Sequence, residues 1–328
     1  MERELALEIV RATEAAALAS SKWIGRGQKN EADDAATSAM REVLGTVNMD
    51  ATVVIGEGEL DEAPMLYIGE KLGTTFGPKV DIAVDPLEGT SIVAKGLGDA
   101  MVVIAVADEG ALLHAPDMYM DKLVVGPNLK GKVSLDEPLE SIIEKAAKYN
   151  NKRIEEVTVI MQDRDRHEHL RQAVMNVGAR VKLFEDGDVS AGIAAAVKTN
   201  PIDIFISTGG APEGVITAAA VKALGGDMQA RLHPMNEEES ARVISMGIVD
   251  PLQLLTLDDL VKSDDCIFAA TGVTSGELLD GVKFLTDDIV ETTSLVMRSK
   301  TRTIRKVVAE HHLSLKPYLQ KTEVNRLT

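Results

Sequence analysis

Residues 80–90 read VDIAVDPLEGT, and residues 51–57 read ATVVIGE. Both runs are short, rich in β-branched side chains and bounded by Gly or Pro, which predicts two buried strands. Each strand delivers acids to a loop: Glu57 and Glu59 follow the first in GEGELDE, while Asp85 and Glu88 close the second in DPLEG. If the two strands lie side by side and parallel, their C-terminal ends bring Glu57, Asp85 and Glu88 together. That concentration of negative charge calls for a hard cation, and oxygen-only donors select Mg2+ or Mn2+ over zinc. Taken singly, an acid after a strand is more often a solvated turn residue. For the group this reading is weaker. Pro86 fixes its own backbone angle and Gly89 permits an unusual one, so the loop is shaped to hold its acids. Thr90 then stands beside the metals, positioned to orient a water or touch a phosphate.

Working outward, Leu5, Ile9, Ala12, Ala16 and Ala19 recur at helical spacing and Gly25 stops them, which predicts an amphipathic first helix. Ala36, Met40, Val43, Leu44 and Val47 form the stripe of a second helix over about residues 30–47. AMVVIAVADEGALLHAPD (100–117) predicts a hairpin turning at Glu109 and Gly110. After a polar, lysine-rich stretch at 140–155, strands and helices alternate through EVTVIMQD, HLRQAVMNVG, ARVKLFED, DVSAGIAAAVK, DIFISTGG and APEGVITAAAVKALGG. Such alternation is the pattern of βαβ units on a parallel sheet. The expected division is a 1–155 N-terminal α+β lobe carrying most of the acids and a 156–328 C-terminal α/β lobe. Residues 276–298, GELLDGVKFLTDDIVETTSLVMR, fit either a helix or strands.

A chain of 328 residues with 45% hydrophobic content can bury a large core. Its formal net charge of -17 argues against a nucleic-acid partner, since phosphate backbones repel acidic surfaces. Cys266 is the only cysteine, which excludes an internal disulfide and a Cys-rich zinc site and fits a reducing, cytoplasmic setting. Glu2, Glu4 and Glu8 are spread through a start that does not read as a signal peptide, and no window approaches ~18 uninterrupted apolar residues. GEGELD lacks the third glycine of a dinucleotide loop, and no P-loop occurs. His167 and His169, in the charged run RDRHEHL, are expected to be solvated; RSKTRTIRK (298–306) is expected to pair with acids or line an interface; Cys266 is expected in an inert strand.

DPLEGT resembles the D-P-[IL]-[DE]-G-[TS] motif of the lithium-sensitive, metal-dependent sugar and inositol phosphatases. Further motifs run along nearly the whole chain: GEGELDEAPMLYIGE (56–70), LLHAPDMYMDKLVVGP (112–127), DGD (186–188), GGAPEG (209–214) and KTRTIRK (300–306). Together they make the chain similar to the class II fructose-1,6-bisphosphatases, the GlpX type. The resemblance implies a two-lobed, layered α-β-α-β-α sandwich with the active site between the lobes. It also implies divalent-metal-dependent hydrolysis of the 1-phosphate of fructose 1,6-bisphosphate, giving fructose 6-phosphate and phosphate in gluconeogenesis. The family's metal ligands fall on Asp33, Glu57, Asp85, Glu88 and Glu213, and Mn2+ or Mg2+ is the implied cofactor. Its substrate contacts fall on Glu88, Gly89, Thr90, Tyr119, Arg164, Asp165, Arg166, Asp186, Gly187, Asp188 and Gly210. Where relatives carry Lys, Arg164 offers a planar fork; with Arg166 it suits the phosphate that is not transferred. Thr90 would align the attacking water, Asp61 act as general base or proton relay, and Lys29 pair with the phosphate or tune the acids.

GGAPEG has a logic of its own. Pro212 near a first helical position loses no needed N–H, and Glu213 in the first turn faces the positive end of the helix. The partners expected are a sugar bisphosphate and further copies of the chain in a dimer or tetramer. Two alternatives stand beside this reading: a phosphatase acting also on sedoheptulose 1,7-bisphosphate, and a non-catalytic metal or sugar-phosphate binding protein. The second leaves Thr90, Arg164 and Arg166 without a task.

Overall fold

A computed structural model of the chain describes residues 1, 4–58, 65–245, 248, 250–316 and 319. The chain forms two compact units, Met1–Leu112 with Asp265–Thr328, and Leu113–Asp264. Residue 155, where the sequence changes texture, lies inside the second unit, just before the first of its parallel strands.

The first unit opens with helices α1 (Leu5–Ser21) and α2 (Lys29–Leu44). The predicted stripe of α1 is buried, as are Ala36, Met40 and Leu44 of α2. Alanines dominate both faces, so the helices pack closely on each other and on the sheet. Strands β1 (Asp50–Ile55), β2 (Lys71–Leu72) and β3 (Lys79–Glu88) follow, then α3 (Thr90–Lys95) and β4 (Met101–Asp108). β1 and β3 are parallel neighbours, with Val53 opposite Ile82 and Ile55 opposite Ala83.

The predicted hairpin over 100–117 is not formed. β4 pairs with β3 on one side and with a distant strand on the other, so both of its edges are taken. The returning segment instead gives its Leu112 N–H to the buried carboxylate of Asp81 at 3.2 Å.

In the second unit β5 (Tyr119–Val125) precedes α4 (Leu139–Asn150), β6 (Thr158–Gln162), α5 (Glu168–Asn176), β7 (Arg180–Phe184), α6 (Asp188–Ala196), β8 (Ile204–Gly210) and α7 (Ala211–Leu224). β9 (Asp227–His233), α8 (Glu237–Ser245), β10 (Leu255–Thr256) and α9 (Leu257–Leu260) complete it. The strand order is β10-β9-β5-β8-β6-β7. β6 runs parallel to β7 and β8, as the alternation predicts, while β5 is antiparallel to β8 and β9. The polar, lysine-rich stretch, to which the sequence reading assigned no element, contains α4, whose Leu139, Ile142, Ile143, Ala146 and Ala147 are buried against the sheet.

The chain then re-enters the first unit with β11 (Cys266–Gly272), β12 (Lys283–Phe284), β13 (Ile289–Arg298) and β14 (Thr303–His312). The ambiguous 276–298 segment therefore carries two strands, β12 and β13, and no helix, and the first sheet runs β12-β13-β11-β4-β3-β1-β2 with β14 on β13. Cys266 is buried in β11, as expected. Thr271 of β11 donates to Thr13 of α1 at 2.7 Å and is bonded to Ser294 of β13 at 2.8 Å, a buried hydroxyl chain that pins helix to sheet. Arg298, the first residue of the basic run, binds Asp265 through two bonds of 2.7 Å and holds that carboxyl below its usual range. Among the described residues no helix is long and apolar enough to cross a membrane.

Candidate active site

The two acid-bearing strands end where the sequence pattern requires. Because β1 and β3 are adjacent and parallel, the chain leaves both at the same edge of the sheet, through Glu57 after β1 and through Asp85 to Glu88 at the end of β3. At Pro86 the pairing of β3 with β4 slips between Asp85 and Glu88. Asp85 Oδ1 accepts the Leu87 N–H at 3.0 Å, a tight turn around the proline that keeps the carboxylate at the bend. Asp85 and Glu88 thereby offer oxygens within 4.8 Å of each other. Glu88 is buried, and Gly89 follows with φ of 91°, a left-handed conformation in which a side chain would be strained. Thr90 is the first residue of α3.

The second acid pair joins separate elements. Asp33, in the first turns of α2, and Glu57 share a side-chain hydrogen bond. Burial, then the Asp33 charge and this bond, push Glu57 up to about 8. Asp33 is also raised, by burial and by Asp34, while Lys29 opposes the shift from one turn earlier. Asp61, the expected proton relay, lies outside the described residues.

In the second unit the expected substrate residues gather at the C-terminal ends of β6, β7 and β8, the edge where open parallel sheets bind ligands. Tyr119 is in register with Gly210, and Arg166 lies over the Tyr119 ring at 5.0 Å. Arg166 also donates to the Thr208 carbonyl at 2.6 and 3.1 Å. Arg164 donates to the Glu185 carbonyl at 2.8 Å, tying its segment to the loop that carries Asp186 and Gly187. Asp165 is exposed between the two arginines. Asp188, at the first position of α6, pairs with Lys122.

Glu213 stands in the first turn of α7 with Pro212 before it, as the GGAPEG pattern predicts. Its Oε2 is buried with no hydrogen-bond partner among the described residues, and burial raises its pKa against the pull of Lys122. Gly210 leaves the room: a Cβ there would meet Glu213 Oε2 at 1.9 Å. All-oxygen donors, one of them a buried and unpartnered carboxylate oxygen, suit a hard divalent cation.

Two residues here escaped the sequence reading. Lys122 is only 1% exposed, with Nζ reaching Asp188 and, at 2.7 Å, the Gly210 carbonyl. Its signal was a lysine next to the apolar run LVV in the strand MDKLVV. His167 is the other, and its expected solvation is corrected: it is buried, with Nδ1 on the Gln162 carbonyl at 2.8 Å and Nε2 accepting the Thr208 N–H at 2.9 Å. Accepting through Nε2 fixes a neutral ring, consistent with a pKa lowered by burial. The ring clips the arginine segment to β8. His169 is exposed, as expected.

Beside these residues a cavity of about 520 Å³ is lined by Tyr119, Lys122, Arg166, Thr208, Arg231 and His233, among others. Its volume lies within the range of small-molecule sites.

Residues 3–311 match the family model described as bacterial fructose-1,6-bisphosphatase, glpX-encoded. The chain belongs to this family. The resemblance carried by DPLEGT and its companion motifs therefore holds over nearly the whole length. A class 2 fructose-1,6-bisphosphatase 1 from Escherichia coli K12 is 47% identical, covering 96% of this chain and 97% of that one. A class 2 fructose-1,6-bisphosphatase from Haemophilus influenzae is 46% identical over 95% and 97%. Membership makes the chain a fructose-bisphosphatase, a phosphoric monoester hydrolase. Among solved structures, the extragenic suppressor protein suhB from Bartonella henselae is similar at 15% identity and a TM-score of 0.34, covering 60% of this chain and 74% of that chain, too slight a likeness to argue from.

Proposed function

We propose that this fructose-bisphosphatase removes the 1-phosphate of fructose 1,6-bisphosphate in gluconeogenesis, using Mn2+ or Mg2+ held by Asp33, Glu57, Asp85, Glu88 and Glu213. The observation that carries the proposal is the emergence of two acid pairs, Asp33 with Glu57 and Asp85 with Glu88, at one edge of adjacent parallel strands. The buried oxygen of Glu213, unpartnered among the described residues, supports adding a fifth carboxylate. When bound, divalent ions polarise the phosphate and lower the pKa of a water.

The chain's own side chains do the rest. Thr90 orients the attacking water, and Asp61 takes its proton. Arg166, stacked on Tyr119 and anchored to the Thr208 carbonyl, holds the phosphate that stays, with Arg164 beside it. Asp186, Gly187, Asp188 and Gly210 meet the sugar hydroxyls, and Lys122 offsets the charge of Asp188 near Glu213. The enzyme works in the cytoplasm as a homo-oligomer, a dimer or tetramer. Phosphate release from fructose 1,6-bisphosphate, with fructose 6-phosphate identified as the co-product, tests the reaction. Release of the 6-phosphate instead would overturn the assigned ends.

A further inference from the structure

Outside the site, the most unusual surface is the edge of the first sheet. β14 is a ten-residue strand that, among the described residues, pairs with β13 alone. On its inward face Val307 packs on the core and His311 is buried with Nε2 bonded to Thr292 at 2.8 Å, while Arg305 is exposed. The alternate residues Ile304, Lys306, Val308, Glu310 and His312 are all exposed, with Ile304 at 50% and Val308 at 57%. A long, regular edge with unpaired backbone groups is a template for another strand unless a bulge, a proline or inward charges blunt it. β14 has no proline, its ten pairs with β13 run in unbroken register, and its one inward-side charge, Arg305, is exposed and not buried.

We infer that β14 is the dimerisation strand, pairing antiparallel with the β14 of a second copy across a two-fold axis at Val308. The sequence selects both the partner and the register. Opposed residues of an antiparallel pair point to the same face, so exposed residues must meet exposed residues, and the axis must pass through a residue instead of between two. An axis at Val308 sets Val308 against Val308, Ile304 against His312, and Lys306 against Glu310 twice over. An axis at Lys306 would oppose two like charges, and one at Val307 would set Lys306 against Val308 and Ile304 against Glu310. Only the Val308 register among these makes the edge self-complementary, as a two-fold interface requires. The basic run in which β14 begins thus lines an interface at its far end, while Arg298 pairs internally.

The inference goes beyond the catalytic proposal and does not rest on it. Val308→Cys tests it in the full-length protein, because the only native cysteine, Cys266, is buried. Opposed Cα atoms in such a pair are about 4.5 to 5.5 Å apart, inside the range that a disulfide spans. Oxidation is expected to give a covalent dimer that reductant dissolves. Light scattering on Lys306→Glu and Glu310→Lys should each show at least tenfold weaker association, and the double exchange should restore it. Hydrolysis of fructose 1,6-bisphosphate in the same samples reports the fold and the catalytic reading separately. A wild-type monomer at micromolar concentration, a Val308→Cys protein that does not cross-link, or single charge variants that associate like wild type would each overturn the inference.

Discussion

Asp33 and Glu57 hydrogen-bond each other through their side chains, although one sits on α2 and the other in the loop after β1. Two carboxyls bond in this way only when one carries a proton, which burial favours. The contact concentrates negative charge that, in the proposed function, a bound divalent ion would relieve. Glu57→Gln keeps a hydrogen-bonding partner for Asp33 but removes a ligand charge. Turnover should fall at least ~100-fold, about 3 kcal/mol in the barrier, with thermal stability equal to or above wild type. Unchanged turnover would remove Glu57 from the catalytic set.

Arg166 is expected to act on binding. Its guanidinium spans the Tyr119 ring and the Thr208 carbonyl. Arg166→Ala should raise KM for fructose 1,6-bisphosphate roughly tenfold to a hundredfold with a much smaller change in kcat, the sign of lost uniform binding. A loss confined to kcat would place Arg166 at the reacting phosphate instead.

Lys122 is a structural test of the second unit. Lys122→Met fills similar volume but leaves Asp188 without its ion pair, in a site where only 12% of the aspartate side chain is exposed. Removing one partner of a buried pair costs about 3–5 kcal/mol. Urea denaturation should show a loss of that order, and a change under ~1 kcal/mol would mean that Asp188 finds water once the lysine is gone.

Much of this arrangement could be read in advance, and the failures have physical causes. β1 and β3 were legible because β-branched runs bounded by Gly and Pro hardly fit a helix. The return strand after β4 was not, because the competition for β4's edges is decided by β3 and by β11, some 160 residues away in sequence. Charges hid α4, although Leu139, Ile142, Ile143 and Ala146 keep helical spacing. The alternation in β13 is blurred because both its faces carry buried residues. Asp33 came only from family resemblance: no spacing rule links a helical aspartate to a loop glutamate. His167 was misjudged because its neighbours are charged, whereas its own ring bonds two backbone groups.

Glu14, buried in α1, gives the fold a pH dependence of its own. Burial raises its pKa from 4.5 to about 7. The unfolded chain therefore releases this proton at lower pH than the folded chain, and stability falls as pH rises from ~4.5 to ~7, by about 3 kcal/mol in all. Glu14→Gln removes that loss. Its advantage over wild type should be small at pH 5 and largest at pH 8 in denaturant titrations; an equal advantage at both would show that Glu14 does not titrate in this window. His311 acts in the opposite sense: burial lowers its pKa to about 4, so its contribution is lost as pH falls from ~6.5 toward 4.

The central claim is that the carboxylates after β1 and β3 hold the ions that make hydrolysis possible. The direct measurement is phosphate release from fructose 1,6-bisphosphate by chelator-treated protein before and after Mn2+ or Mg2+ is restored, for wild type and for Asp85→Ala. The account predicts no turnover without metal, recovery in wild type on adding either ion, and none in a folded Asp85→Ala protein. Full turnover by metal-free wild type, or by Asp85→Ala, would contradict it.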